Sequence, residues 1–299
     1  MKILLTGSLG NIGKPLTKEL VQKGHTVTVI SNNSERQQDI EALGAKAVIG
    51  SMQNIPFLTK TFKGADVVYL MEPPVNFFDK SLDIIHYYEN IGKNYAQAIE
   101  QSGVKQVVHL SSIGAHMDRG NGVLQFHYRI EQILRKLPNN IVIKFIRPVG
   151  FYYNLLSMVR SIKSFGMMAS TYGENDIVPW VSPLDIADAI VGEIEMPFNQ
   201  THKVRYVASD ELTCNDVAKA FGEAIGIPDL KWVIIPEKQQ LDGMLMAGMN
   251  TEAATGLVEM NNATHTGELY EDYMLNKPAL GKVKIKDFAK EFAATFNNS

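Results

Sequence analysis

Lys2-Ile3-Leu4-Leu5-Thr6-Gly7-Ser8-Leu9-Gly10-Asn11-Ile12-Gly13 opens the chain with an apolar run, a turn of three spaced glycines and the start of a helical pattern. Ile3–Leu5 reads as a strand. Ile12, Leu16 and Leu20 recur at i, i+4 and i+8, the apolar stripe of a helix over 12–23 that Gly24 closes. A diphosphate gains from a helix N-terminus only by coming close to its free N–H groups and positive dipole end. Gly7 permits the tight turn, Gly10 clears a side chain from the phosphate's path, and Gly13 lets helix pack on strand. Thr6, Gly7, Leu9, Gly10, Asn11, Ile12 and Gly13 are therefore read as the cofactor-binding loop of a dinucleotide site. The alternatives are a glycine-rich turn without a ligand and an S-adenosylmethionine site.

Working outward, Thr26–Ile30 is β-branched throughout and reads as a strand buried on both faces. Polar helix (35–43), strand (47–49), short helix (56–62), strand (65–71) and a long helix (83–102) closed by Gly103 follow. A strand over 106–111, a helix over 123–136 and a strand over 141–146 complete the first half. Strands alternating with helices imply a parallel sheet covered on both faces, so the fold class is α/β, doubly wound. Beyond residue 150 the rhythm loosens into helices over 153–165, 183–193 and 215–225, strands over 204–208 and 232–235, and a helical tail with Met244, Met246, Met249 and Met260. No Gly/Ser linker separates the halves. Residues 1–150 are expected to bind the nucleotide. Residues 151–299 should form a smaller α+β substrate lobe that contributes to the sheet and is not an independent domain.

Composition narrows the function. The 299 residues carry 29 Lys+Arg against 32 Asp+Glu, a net charge of −3, which argues against nucleic acid or anionic lipid as the main partner. The single cysteine, Cys214, excludes a disulfide framework, a cysteine metal cluster and a CxxC redox pair. No HExxH pairing occurs among the seven histidines, so no metal is expected. No apolar stretch approaches the roughly 18–20 residues that span a bilayer. A cytoplasmic protein with a small-molecule substrate, monomeric or homodimeric and without a membrane partner, is expected.

An NAD-preferring protein usually presents Asp or Glu to the adenosine ribose at the end of the second strand. Here that position is Ser31, followed by Asn32, Asn33, Ser34, Glu35 and Arg36. A 2′-phosphate would meet small polar donors there, and Arg36 could supply a forked cationic contact. The pattern favours NADP(H) over NAD(H). In the competing reading, Asn32–Ser34 merely caps the next helix and Arg36 points into solvent.

With these residues in view, the chain resembles the NmrA-like group of atypical short-chain dehydrogenases/reductases. The resemblance rests on the Thr-Gly-x-x-Gly-x-x-Gly opening and three later segments. They are Gly103-Val-Lys-Gln-Val-Val-His-Leu-Ser-Ser112, Arg147-Pro-Val-Gly-Phe-Tyr-Tyr-Asn154 and Pro179-Trp-Val-Ser-Pro-Leu-Asp-Ile-Ala-Asp-Ala189. It runs through about the first 195 residues and fades in the tail. It implies a Rossmann-like domain with a smaller C-terminal substrate lobe. Relatives include NADP-dependent reductases of quinones and dyes, isoflavone-type reductases, and members that sense NADP without turnover. By this resemblance Ser31 and Arg36 lie in the adenosine-selecting region, and Met71, Pro73 and Pro74 in the loop beside the cofactor. Ser111 and Ser112 fall near the nicotinamide. Ser51 stands where many relatives place an aspartate for the adenine.

One departure concerns catalysis. Short-chain dehydrogenases use Tyr-x-x-x-Lys, in which the lysine lowers the phenol's pKa for proton exchange. In the helix after the fifth strand Tyr128 is followed four residues on by Gln132, so that machinery is read as absent. His127 and Glu131 lie one helical turn apart; a carboxylate beside His127 would raise its pKa and make it a proton donor. The bland alternative is a helix-surface pair with no chemistry. Tyr128 and Ser112 complete the catalytic candidates. Asp185 is expected to cap its helix and fix the lid. Phe77, Phe78, Phe151, Tyr152, Tyr153 and Trp180 fall in loops after strand ends. Of these, Phe77, Phe151, Tyr152 and Trp180 are the substrate candidates, suited to a flat apolar molecule. The leading expectation is an NADPH-dependent reductase of an aromatic or quinone-like acceptor. A non-catalytic NADP(H) sensor and a nucleotide-sugar epimerase or dehydratase are the alternatives.

Overall fold

Successive residues of the first strand serve different faces of a sheet: Ile3 and Leu5 pack into one core, Leu4 into another. The computed structural model describes residues 1–299. Its strands are β1 (Lys2–Leu5), β2 (Thr26–Ser31), β3 (Lys46–Ile49), β4 (Val67–Leu70), β5 (Gln106–Leu110) and β6 (Val142–Pro148). They continue with β7 (Gly150–Phe151), β8 (Met168–Ser170), β9 (Ile177–Val181), β10 (His202–Val207), β11 (Asp210–Thr213) and β12 (Trp232–Ile234). The helices are α1 (Gly13–Gln22), α2 (Gln37–Ala42), α3 (Ile55–Phe62), α4 (Ile84–Ser102), α5 (Gln125–Leu134) and α6 (Val159–Phe165). After these come α7 (Pro183–Glu195), α8 (Cys214–Ile225), α9 (Glu237–Met246), α10 (Thr251–Thr266), α11 (Glu271–Leu275) and α12 (Ile285–Asn298).

Seven strands pair parallel in the order β10-β6-β5-β4-β1-β2-β3. The chain runs outward from β1 to β3, then returns through β4 to the other side, so the order reverses beside β1. That reversal opens a crevice at the strands' C-terminal ends, where open α/β sheets bind ligands. Because both faces are covered, β4 (VVYL) is buried at every residue. Val68, Leu70 and Val107 pack with α3, α4 and α5; Val67, Tyr69 and Val108 pack on the opposite side with α1 and α7. This is a Rossmann-like α/β fold.

Local chemistry sets the helix ends. Asp83 caps α4 by accepting His86 N–H at 2.8 Å, and Gly103 ends it at φ +82°. Glu252, from the start of α10, reaches across to accept the N–H groups of Ile84 and Ile85 at 2.9 and 3.3 Å. The tail is thereby fastened to the first half of the molecule.

Two sequence expectations change here. The helix expected over 153–165 begins as a 3-10 run, Tyr152–Met158, and becomes α-helical only at α6. The tighter winding places Tyr152 and Leu155, three residues apart, together in the core. The small strands β7, β8, β9 and β11 have no counterpart among the expected elements. Three of these four have at most four residues, and none shows clean alternation. Beyond residue 150, α7 covers the large sheet against α1 and β10 extends it.

Candidate functional site

The turn after β1 is built by backbone conformations that suit glycine. Gly7 has φ +91° and Ser8 φ +57°. A Cβ on Gly7 would lie 2.2 Å from the Met71 sulfur, and one on Gly13 2.1 Å from the Ser8 carbonyl oxygen. A Cβ on Gly10 would meet nothing within 4 Å. The first and third glycines are thus packing requirements, and the second faces open space. No protein carbonyl accepts the N–H groups of Asn11, Ile12 or Gly13. Ile12's side chain is in the core and Leu9 packs partly against it, so their contribution to a ligand is through backbone. These features fit the diphosphate of a dinucleotide.

The neighbouring loops are tied to this turn. Ser8 Oγ donates to Ser31 Oγ at 3.1 Å, and Ser31 Oγ accepts the Asn33 N–H at 3.1 Å. Thr6 Oγ1 accepts the Met71 N–H at 2.8 Å and donates to the Met71 carbonyl at 3.1 Å; Tyr95 Oη donates to the same carbonyl at 2.6 Å. The segment Met71–Pro74 therefore leaves β4 from a clamped point. Asn32 is exposed, Asn33 caps the short turn Ser34–Arg36, and Arg36 is half exposed with Nη1 3.4 Å from Asp39. Ser51 is exposed and its Oγ accepts the Gln53 N–H.

At the ends of β5 and β6 the polar groups engage one another. Glu131, fully buried on α5, accepts Ser111 Oγ at 2.6 Å, Arg147 Nε and Nη2 at 2.9 and 2.8 Å, and Arg135 Nη2 at 3.0 Å. Burial alone would raise its pKa, but the Arg147 bonds and charge, with Ser111 and Arg135, hold it below the usual carboxylate range. Arg147 Nη1 also donates to Tyr206 Oη and Asp272, both at 3.1 Å. The expected His127–Glu131 pair does not form. His127 Nδ1 is buried without a partner, and its ring lies tilted against Phe126 with centroids 3.9 Å apart. Burial, then the His109 and Arg147 charges, push its pKa well below the ordinary value. His127 is a neutral imidazole, the reverse of the carboxylate-raised donor expected. Ser111's hydroxyl is turned to Glu131. Ser112 and Tyr128 are half-buried, without side-chain hydrogen bonds.

The NmrA-like family matches this chain over residues 1–287. The chain belongs to the NmrA-like family. The match extends well past residue 195, where the sequence resemblance was expected to fade. A relative from Streptomyces griseus, (4-alkanoyl-5-oxo-2,5-dihydrofuran-3-yl)methyl phosphate reductase, is 23% identical over 228 residues, 76% of this chain and 74% of its own. Among solved structures, the NADPH-dependent quinone oxidoreductase of Escherichia coli complexed with NADPH superposes with TM-score 0.80 at 17% identity, covering 97% of this chain and 99% of that one. The Citrobacter sp. triphenylmethane reductase complexed with NADP(H) gives TM-score 0.75 at 18% identity, covering 98% and 100%. At these identities the solved structures show a common fold.

The remaining candidates of this NmrA-like chain divide sharply. Tyr152 is fully buried, its hydroxyl donating to Asp210 at 2.7 Å, and Trp180 is buried against Trp232. Both belong to the core, correcting their assignment to the substrate wall. Phe77 and Phe151 remain partly accessible, Phe151 beside Tyr153 with ring centroids 5.1 Å apart. Ser182, not Asp185, caps α7. Asp185 instead accepts Ser209 Oγ and the N–H groups of Lys282 and Val283, which fixes the C-terminal strap. The Tyr-x-x-x-Lys spacing read as absent does occur once, at Tyr273 and Lys277 in the C-terminal lobe. Both bind Glu211, and burial with that bond raises the Tyr273 phenol, so it is no tuned base. Sequence reasoning also missed Glu72 and His109, a buried pair 2.9 Å apart beneath the loop after β4. The available signal was an isolated imidazole in the apolar strand β5 and a carboxylate directly before Pro73-Pro74.

Proposed function

We propose that this NmrA-like chain is an NADPH-dependent oxidoreductase whose acceptor is a small, flat molecule of the quinone or aromatic class. The observation carrying this reading is the set of unclaimed N–H groups at Asn11–Gly13 beside Gly10's open approach. The names of its relatives, two reductases and an NADPH-dependent quinone oxidoreductase, support it. The glycine turn would hold the diphosphate, Arg36 would swing from Asp39 to a 2′-phosphate, and Ser31 would fix the turn against the strand tip. Met71, Pro73 and Pro74 would wall the cofactor, with Ser51 toward its adenine end. When bound, the reduced nicotinamide supplies hydride. Phe77 and Phe151 would face the acceptor and exclude water, and Ser112's free hydroxyl could orient its oxygen. Reduction of a quinone consumes one hydride and one proton; with His127 neutral and Glu131 ionised, the proton comes from solvent. Positioning would then contribute most of the rate.

A sensor of NADP(H) occupancy is the second reading, favoured by the mutual engagement of Ser111, Glu131 and Arg147. The epimerase reading lacks a phenol tuned as base, since Tyr273 is raised. Titration with NADPH and NADH, followed by absorbance at 340 nm with a naphthoquinone, a triphenylmethane dye and an enone, tests all three. Saturable NADPH binding with turnover is expected. Binding without turnover on any acceptor favours the sensor, and flat titrations with both nucleotides refute the dinucleotide reading altogether.

A further inference from the structure

A groove of about 980 Å³ lies along the opposite edge of the sheet, walled by β10, α7 and residues 276–282. β10 is the terminal strand, four positions from β1, or roughly 19 Å at the usual strand spacing. It is therefore separate from the glycine turn. Along β10, Thr201 and Val207 direct their carbonyls to β6, accepting Ile143 and Val149 N–H at 2.9 and 3.1 Å. Alternation turns the backbone groups of His202, Val204 and Tyr206 outward. No strand pairs with them; Tyr206 is already covered, at 2% exposed, and the strap bonds the Ala208 carbonyl through Gly281 N–H at 2.8 Å, which leaves His202 and Val204 as the open part of the edge. Val204 is 38% exposed, so the edge is open at its centre. Such an edge is a template for another strand.

The charges beside it do not balance. Glu193, 1% exposed, faces three cations: Lys144 at 3.3 Å, Lys203 at 2.8 Å and Arg205 at 3.2 Å. Arg135, also in the groove wall, lies 4.5 Å from the Phe145 ring centroid and is paired with Glu131, so it adds nothing to this excess. The groove's other carboxylates are engaged elsewhere: Asp188 with Lys282, Asp272 with Arg147, and Asp185 with the strap backbone. Burial and the Lys203 and Arg205 charges hold the Lys144 ammonium below its ordinary range despite Glu193. Lys203 and Arg205 flank Val204 and are each partly exposed.

We propose that this groove receives an acidic, extended segment of a partner protein, paired to the outer edge of β10 at Val204 with its carboxylates on Lys203 and Arg205. A second copy of this chain fits less well. Antiparallel β10–β10 pairing centred on Val204 would set Lys203 of one copy against Arg205 of the other, and like charges directly opposite destabilise a sheet. The inference does not depend on the oxidoreductase reading, because the groove shares no residue with the glycine turn.

The test uses the whole protein and a fluorescein-labelled (Glu-Val)4 amide, with (Lys-Val)4 as control. Fluorescence polarisation should saturate with the glutamate peptide and stay flat with the lysine peptide. Exchange of the His202 and Val204 amides should slow at least tenfold at saturation. The double variant Lys203→Gln/Arg205→Gln should bind at least tenfold more weakly, with a lowered melting temperature because the buried Glu193 then keeps only Lys144. Should that pair prove needed for folding, Val204→Pro removes the outward N–H, keeps every charge and should weaken binding similarly. Equal binding of both peptides, no binding of either, or peptide binding without slowed exchange would overturn the proposal. So would a dimer in sedimentation that the glutamate peptide does not dissociate.

Discussion

The glycine turn and the Glu131 cluster lie at the same end of the sheet and treat their polar groups in opposite ways. In the turn, the N–H groups of Asn11, Ile12 and Gly13 are left unclaimed, and a side chain at Gly10 would touch nothing. In the cluster, one carboxylate takes four hydrogen bonds, and Arg147 gives its remaining contacts to Tyr206 and Asp272. Donors held rigidly without partners suit a ligand. Donors and acceptors matched to one another suit a scaffold, because a buried charge is tolerable only when it is satisfied. Residues chosen for chemical type alone would place both regions in the active site; their partners separate them.

The largest effect expected from this contrast is in stability. Arg147→Met strips the buried Glu131 of its bidentate partner and should cost about 3–5 kcal/mol in denaturant unfolding. A loss below about 1 kcal/mol would mean the cluster is not a scaffold. Gly10→Ala should do the converse, leaving unfolding within about 0.5 kcal/mol while weakening NADPH binding at least tenfold by calorimetry. Unchanged affinity would break the distinction from the turn's side.

Acid sensitivity sharpens the picture at His127. Its folded pKa is depressed, so the unfolded chain takes up the proton first as pH falls below about 6.5, the ordinary value. Stability from the neutral ring is intact above that pH and should decline below it, by up to about 1.4 kcal/mol per pH unit. His127→Gln should flatten that decline. The same slope in both proteins would show that the imidazole ionises freely. The smallest effect belongs to Arg36→Ser, expected to weaken NADPH binding roughly three- to tenfold at low salt and leave NADH unchanged, since the side chain is exposed and screened. Equal losses for both nucleotides would remove Arg36 from 2′-phosphate selection.

Much of the fold was legible because its signals are local. The glycine spacing after β1, the apolar stripe of α1 and Gly103 at the end of α4 each report one backbone event. The site was less legible where partners are distant in sequence. Counting four residues from Glu131 offers His127 in one direction and Arg135 in the other; the structure takes Arg135 and adds Arg147 from a neighbouring strand. A carboxylate binds the nearer cation in space, and helical spacing cannot rank tertiary neighbours. Tyr152 and Trp180 were misplaced for a related reason, as large aromatic rings serve a core and a pocket wall equally well. The small strands escaped because two to five residues carry too little periodicity.

The clamp on Met71 has a further consequence. Thr6 holds its peptide on both sides and Tyr95 grips its carbonyl, so the chain that follows is anchored like a rope at a cleat. At the other end of the same excursion, Asn250 fastens the carbonyls of Asp79 and Leu82 at 2.8 and 3.0 Å. Past Glu72, which stays tied to the buried His109, the side chains of the intervening stretch can vary without disturbing strand β4 or the turn beside it. It is a natural cassette for grafting, where descendants of this sequence, or an engineer, could exchange what is recognised while the foundation stays still.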